Sequence, residues 1–191
     1  MVSRTYPAYH PKKGQPTYFV EKILARQFER IDADGCDMCY QSEEISCVDC
    51  PYRIIGDSMK FHTFRGNFPL WKKRIDEVLS GNAVIVLKYH TLGRYVKGNK
   101  QIEFLRLDKE SGIGVEEIYF HCGVIEAPNF IIRKENKKPK AKLLSITEIS
   151  KNDGLDFIDY KNWFEKGDYD LKETFACIQF TSFRYGSKTE S

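Results

Sequence analysis

Two Cys-x-x-Cys pairs, Cys36 with Cys39 and Cys47 with Cys50, stand seven residues apart and restrict this chain more than any other feature of it. A two-residue spacer lets both sulfurs of a pair turn toward one point, and four thiolates suit a tetrahedral metal. Gly35 ahead of the first pair and Pro51 after the second fit knuckle-like turns. The stretch between them, Tyr40 to Ser46, is too polar to pack by itself, so something must hold the loop shut. Disulfides are the alternative. The first residues, Met1-Val2-Ser3-Arg4, lead into Tyr and Pro with no apolar leader segment, so a cytoplasmic setting is expected, where disulfides rarely persist. A redox Cys-x-x-Cys needs only one pair. The reading is structural Zn2+ held by Cys36, Cys39, Cys47 and Cys50. With all four places taken by sulfur, no position is open for a catalytic water. Cys122 and Cys177 lie in apolar surroundings and read as buried small residues.

The insertion that carries these pairs, residues 32 to 55, sits inside one expected domain spanning residues 1 to 191. That length and a 41% hydrophobic fraction supply one core. The net charge of +3 is a mild basic excess and does not by itself require a nucleic-acid partner. No apolar run approaches the roughly 20 residues of a membrane span, so no membrane partner is expected. Aromatic residues make up 14% of the chain, which serves a packed β-barrel or provides rings for stacking on bases.

Periodicity supplies the elements. A short first strand leads into a Pro-rich loop from Tyr6 to Pro16. Phe19, Val20, Ile23, Leu24 and Phe28 recur at helical spacing, predicting a helix over Tyr18 to Phe28. Leu70, Trp71, Ile75, Val78 and Leu79 predict another over Pro69 to Ser80, with Pro in its first turn and Gly81-Asn82 at its end. Ala83 to Leu87 is a continuous apolar strand. Ile102 to Leu107 alternates and returns as a hairpin across a basic turn that holds Arg94, Tyr95, Lys97 and Lys100. Val115 to Phe120 and Asn129 to Arg133 add strands, Lys134 to Lys142 is a charged, solvated loop, Leu155 to Phe164 is helical, and Phe175 to Phe183 is the last strand. Asn152 and Asp153 precede the Leu155 helix and read as its cap. Asp156 and Asp159 read as a solvated face.

The chemistry concentrates in Lys60-Phe61-His62-Thr63-Phe64-Arg65. Aromatic residues and Thr suit a strand from Phe61. By alternation Thr63 and Arg65 share a face with Phe61, whereas Lys60 falls on the other. Lys60 meets Thr63 only from the loop before the strand, which Gly56-Asp57-Ser58 makes available. The plain alternative is a solvent-exposed edge strand with surface charges.

Lys60, Thr63 and Arg65 resemble the Lys-x-x-Thr-x-Arg core of ASCH domains, a branch of the PUA-like superfamily. The family pattern has Gly two residues before the Lys, where this chain has Ser58. The order of elements is also similar. The resemblance implies an α+β fold, a PUA-like β-barrel flanked by helices, with the zinc-knuckle insertion added. It implies a cleft, lined by this motif, that binds RNA or a nucleotide-like ligand, with Lys60, Arg65, Arg94 and Lys97 on phosphate or a base edge and Tyr95, His62 or Trp71 stacking on a base. The alternative implied activity is that of ASCH-like amidohydrolases that remove an acetyl group from acetylcytidine. There Thr63 is the nucleophile, Lys60 its base, and Asp153 the carboxylate, where the family has Glu. Arg65 or a backbone N–H then holds the oxyanion. A third reading leaves the cleft vestigial and gives the zinc loop a protein partner.

Overall fold

The computed structural model describes residues 1–27, 55, 58–92, 95–122, 128–132, 142–164 and 174–185. Its helices are α1 (Phe19–Gln27), α2 (Phe68–Leu79), α3 (Ile146–Asn152) and α4 (Phe157–Phe164). Its strands are β1 (His62–Gly66), β2 (Ile85–His90), β3 (Gln101–Leu107), β4 (Gly114–Cys122), β5 (Pro128–Ile132), β6 (Lys142–Leu144) and β7 (Thr174–Gln179). The fold is α+β. Five strands form one antiparallel sheet in the order β1-β7-β4-β5-β6, and β2 pairs with β3 as a hairpin. The expected barrel is not closed among the described residues.

β7 explains how this sheet holds two cores. Its side chains alternate: Phe175 and Cys177 join a cluster with Tyr6, Phe19, Phe64, Ile118, Ile149 and Tyr160. Ala176 and Ile178, with Phe180 just beyond the strand, join the opposite cluster with Ile23, Ile75, Val78, Leu87 and Leu107. A strand apolar on both faces has to be buried on both faces. Helices α3 and α4 supply residues to the first core, and α2 with the β2–β3 hairpin supplies them to the second. Each fully buried large apolar side chain contributes about 1.5–3 kcal/mol.

Local chemistry sets the element ends. α2 opens where Asn67 takes a left-handed φ of 60° and its side chain accepts a hydrogen bond from Leu70 N at 3.1 Å. Asn tolerates that backbone better than other non-glycine residues. The predicted first strand is reduced to a single bridge between Thr5 and Pro16. Pro7, Pro11 and Pro16 have no N–H to give a longer ladder. Helix α3 was not expected, because Ile and Thr dilute its helical pattern. Ser145 and Glu148 hold the spacing of a capping box, although the Ser145 side chain makes no cap hydrogen bond. Asp153 closes α3 instead of opening α4. The α4 cap is Asp156, whose Oδ1 accepts from Asp159 N at 2.7 Å.

Asp159 corrects a second expectation. It is buried, with 4% exposure, and not on a solvated face. It accepts hydrogen bonds from Tyr6 Oη at 2.7 Å and Lys12 Nζ at 2.6 Å, so the N-terminal loop is tied onto α4.

The β3–β4 turn needs Gly112. Its φ is +73°, and a Cβ there would lie 2.7 Å from the backbone N of Ser182. Gly112→Ala therefore combines a disfavoured backbone with a clash against main chain. We expect a loss of about 1–3 kcal/mol, read as a lower thermal midpoint; an unchanged midpoint would show that the turn relaxes freely.

Candidate functional site

The motif strand is an edge strand, and register sorts its side chains. Phe64 pairs with Cys177, whereas Thr63 and Arg65 pair with Ile178 and Ala176. Directly opposed residues of an antiparallel pair share a face. Phe64 therefore belongs to the first core, with His62 beside it, while Thr63 and Arg65 face the second core and the side that receives α2 and the hairpin.

Lys60 lies just before the strand, in the place the sequence allowed, but it turns to the His62 side. Its backbone forms a bridge with Asp153, and its N–H donates to Lys22 O at 3.1 Å. Its Nζ donates to the Asp153 backbone O at 2.9 Å and makes a very short contact with Asp153 Oδ1. The ammonium also lies 4.2 Å from the Phe19 ring centroid, within cation–π range. Lys60 and Asp153 are each 4% exposed. The sequence-derived pair of Lys60 and Asp153 is thus brought together. No hydrogen bond joins Thr63 to either of them among the described residues.

Burial shapes the protonation of this centre. Loss of water pushes the Lys60 ammonium below its ordinary value, against the opposing pull of Asp153. The same burial pushes the Asp153 carboxyl up, against the opposing pull of Lys60. These shifts converge, so a proton moves between the partners at lower cost than between the same groups in water. Burial, with the Lys60 charge, holds His62 well below 6.5, so this ring is neutral at pH 7.

His62 and Asn152, expected to touch ligand and to cap a helix, complete the centre together with Tyr185 and Lys22, which no sequence pattern marked. His62 Nε2 lies 2.7 Å from Tyr185 Oη, and Asn152 Nδ2 donates to the same oxygen at 3.1 Å. His62 Nδ1 lies 3.5 Å from Asp153 Oδ1. Lys22 Nζ donates to Gly154 O at 2.6 Å, and burial followed by the Lys60 charge lowers its pKa. Lys22 was hidden in a helix read for its apolar spacing. Tyr185 lies 125 residues after Lys60 in numbering, and no local pattern marks it.

The other named residues are distributed elsewhere. Arg65 donates to Phe64 O at 2.8 Å and Met1 O at 3.1 Å. Its charge still acts on Lys60 and Asp153. Trp71 packs partly against the second core, with the Arg74 guanidinium 4.9 Å from its ring centroid. Tyr95 is 90% exposed at the hairpin tip. Arg94 and the four zinc-directed cysteines, Cys36, Cys39, Cys47 and Cys50, lie outside the described residues, as does most of the Lys134 to Lys142 loop.

Comparisons with protein-family models, with curated proteins and with solved structures found no match.

The buried contact is directly measurable. Asp153→Ala strands a buried ammonium and is expected to cost about 3–5 kcal/mol. Combining Lys60→Met with Asp153→Leu removes both charges and is expected to recover much of that loss. Urea unfolding of the single and double variants measures the coupling; strictly additive losses would mean that the two side chains do not interact.

Proposed function

We propose that this chain is an ASCH-type protein of the PUA-like superfamily that binds RNA or a nucleotide-like ligand. The β2–β3 tip makes the backbone contacts, and the Thr63–Arg65 side of the motif strand contributes to the cleft. In this reading the two sheets belong to a PUA-like barrel. The observation that carries it is the composition and exposure of the tip. Thr91 to Lys100 holds Arg94, Lys97 and Lys100 with no Asp or Glu, and presents a Tyr95 that is nine-tenths exposed. Cationic side chains around an exposed ring suit phosphate neutralisation combined with base stacking. Lys60 is not a phosphate contact here, because Asp153 already engages its ammonium and would repel an anion.

Lys97→Ala with Lys100→Ala is expected to weaken retention of single-stranded RNA and to flatten the salt dependence by about one phosphate contact per lysine. Tyr95→Ala is expected to cost about 1–3 kcal/mol of affinity if its ring stacks on a base. Filter binding across a salt series measures both. Equal affinity of wild type and variants would sink the reading.

A second reading, hydrolysis of an acylated nucleoside such as acetylcytidine, is favoured by the Lys60–Asp153 contact. That contact is the amine–carboxylate pair the resemblance calls for, and the converging protonation energies suit acid–base work. With the shared proton on Asp153, Lys60 would take the Thr63 proton as Oγ attacks the amide carbon, Asp153 would give its proton to the cytidine amine as the C–N bond breaks, and water would then hydrolyse the acetyl–Thr63 ester to acetate and restore the hydroxyl. Thr63 faces the opposite side of β1, so this chemistry requires the Lys60 amine to swing across on substrate entry. Lys60→Ala and Thr63→Ala are each expected to abolish release of free cytidine from acetylcytidine, and turnover persisting in both would exclude the scheme.

The Cys36, Cys39, Cys47 and Cys50 set is proposed to hold structural zinc. Elemental analysis should find about one zinc per chain, lost in Cys39→Ser; metal-free native protein would end that proposal.

A further inference from the structure

Among the described residues two histidines are buried: His10 is in polar contact through both ring nitrogens, and His62 is hydrogen-bonded through Nε2, with Nδ1 near the Asp153 carboxylate but making no hydrogen bond. His10 is 2% exposed and His62 is 0% exposed. For His10 the roles follow from the partners. The backbone N–H of Lys12 donates to Nδ1 at 3.0 Å, so Nδ1 is bare. Nε2 lies 3.1 Å from the backbone carbonyl of Asp159, which can only accept, so Nε2 carries the proton.

For His62 the logic reverses. Nε2 faces the Tyr185 hydroxyl at 2.7 Å, and Asn152 Nδ2 already donates to that oxygen. A phenol O–H is a better donor than a neutral imidazole N–H, and an imidazole nitrogen is a better acceptor than a phenol oxygen. The favoured sense runs from Asn152 to Tyr185 to Nε2. The other side of the ring agrees. Nδ1 lies 3.5 Å from the Asp153 carboxylate, with no closer hydrogen-bond partner. A bare nitrogen there would set a lone pair against an anion, whereas an N–H turns its positive end toward it.

We propose that Tyr185 and Asn152 lock His62 as the Nδ1–H tautomer, making it a positioning residue that turns an N–H toward Asp153 Oδ1, the same oxygen that Lys60 contacts. Asp153 Oδ1 then faces both an ammonium and a neutral ring dipole. This is how a carboxylate at 4% exposure keeps a defined orientation. The charged groups acting on this ring are Lys60 and Asp153, with Arg65 acting in turn on both of those. The assignment rests on the Lys60–Asp153 contact and does not depend on either functional reading, so it can fail while RNA binding or hydrolysis holds.

Two-bond proton–nitrogen correlation spectra of uniformly 15N-labelled full-length protein at pH 7 test it. The chain has four histidines. Among them His62 is expected as Nδ1–H with a hydrogen-bonded bare Nε2, and His10 as the opposite tautomer, an internal contrast in one spectrum. Tyr185→Phe removes only the hydroxyl. It is expected to move the His62 Nε2 resonance toward that of an unbonded nitrogen and to leave His10 unchanged, which also assigns the His62 signals. If that variant fails to fold, the wild-type spectrum still decides. Only Nε2–H patterns among the neutral rings, an imidazolium at His62, or no His62 Nε2 response to Tyr185→Phe would each overturn the proposal.

Discussion

The buried contact between Lys60 and Asp153 joins parts of the chain that are 93 residues apart. The backbone around it is tied at the same place. Lys60 N donates to Lys22 O of α1, Phe61 N donates to Asn152 O of α3, and Phe61 O accepts from Phe180 N beyond β7. Edge strand, first helix, third helix and final strand therefore meet at one pair of charges. Removing two charges from water is costly, and a hydrophobic pair of similar volume often stabilises as well. What a buried ion pair adds is a penalty for every arrangement in which one partner is buried alone. At this junction that penalty disfavours other pairings of β1.

The two-faced sheet divides the motif by the same physics. Period-two alternation along β1 sends His62 and Phe64 into the first core and leaves Thr63 and Arg65 toward the second. Lys60 sides with His62 because the carboxylate is there. A motif that reads as one constellation in six residues is thus two half-sites on opposite sides of a strand. The inner half is a neutral-overall polar network among Lys60, Asp153, His62, Tyr185 and Asn152. The outer half lies toward the hairpin whose tip is basic and exposed. This division is why the binding reading draws on the outer half, whereas the hydrolytic reading needs Lys60 and Asp153 from the inner half and Thr63 from the outer one.

Periodicity carried far along the chain. α1, α2, α4 and the β2–β3 hairpin stand close to the residues their apolar spacing marks, because each buries one stripe or face against a core. The misses have physical causes. β-Branched residues masked α3. Three prolines cut the first strand to a bridge. Asp159 reads as a surface acid until Tyr6 and Lys12 arrive from the N-terminal loop, 153 and 147 residues away in sequence.

The amino-acid order by itself determined that Thr63 and Arg65 share a face, that Lys60 precedes the strand, and that a carboxylate stands at a helix boundary near residue 153. These follow from backbone geometry over a few residues. Only the tertiary structure decided which acid meets the amine, which side Lys60 takes, and that Tyr185, Asn152 and Lys22 belong to the same centre. Local periodicity has no term for contacts closed across a hundred residues. Such contacts are selected by burial, where an unpaired charge or donor is too costly to leave in place.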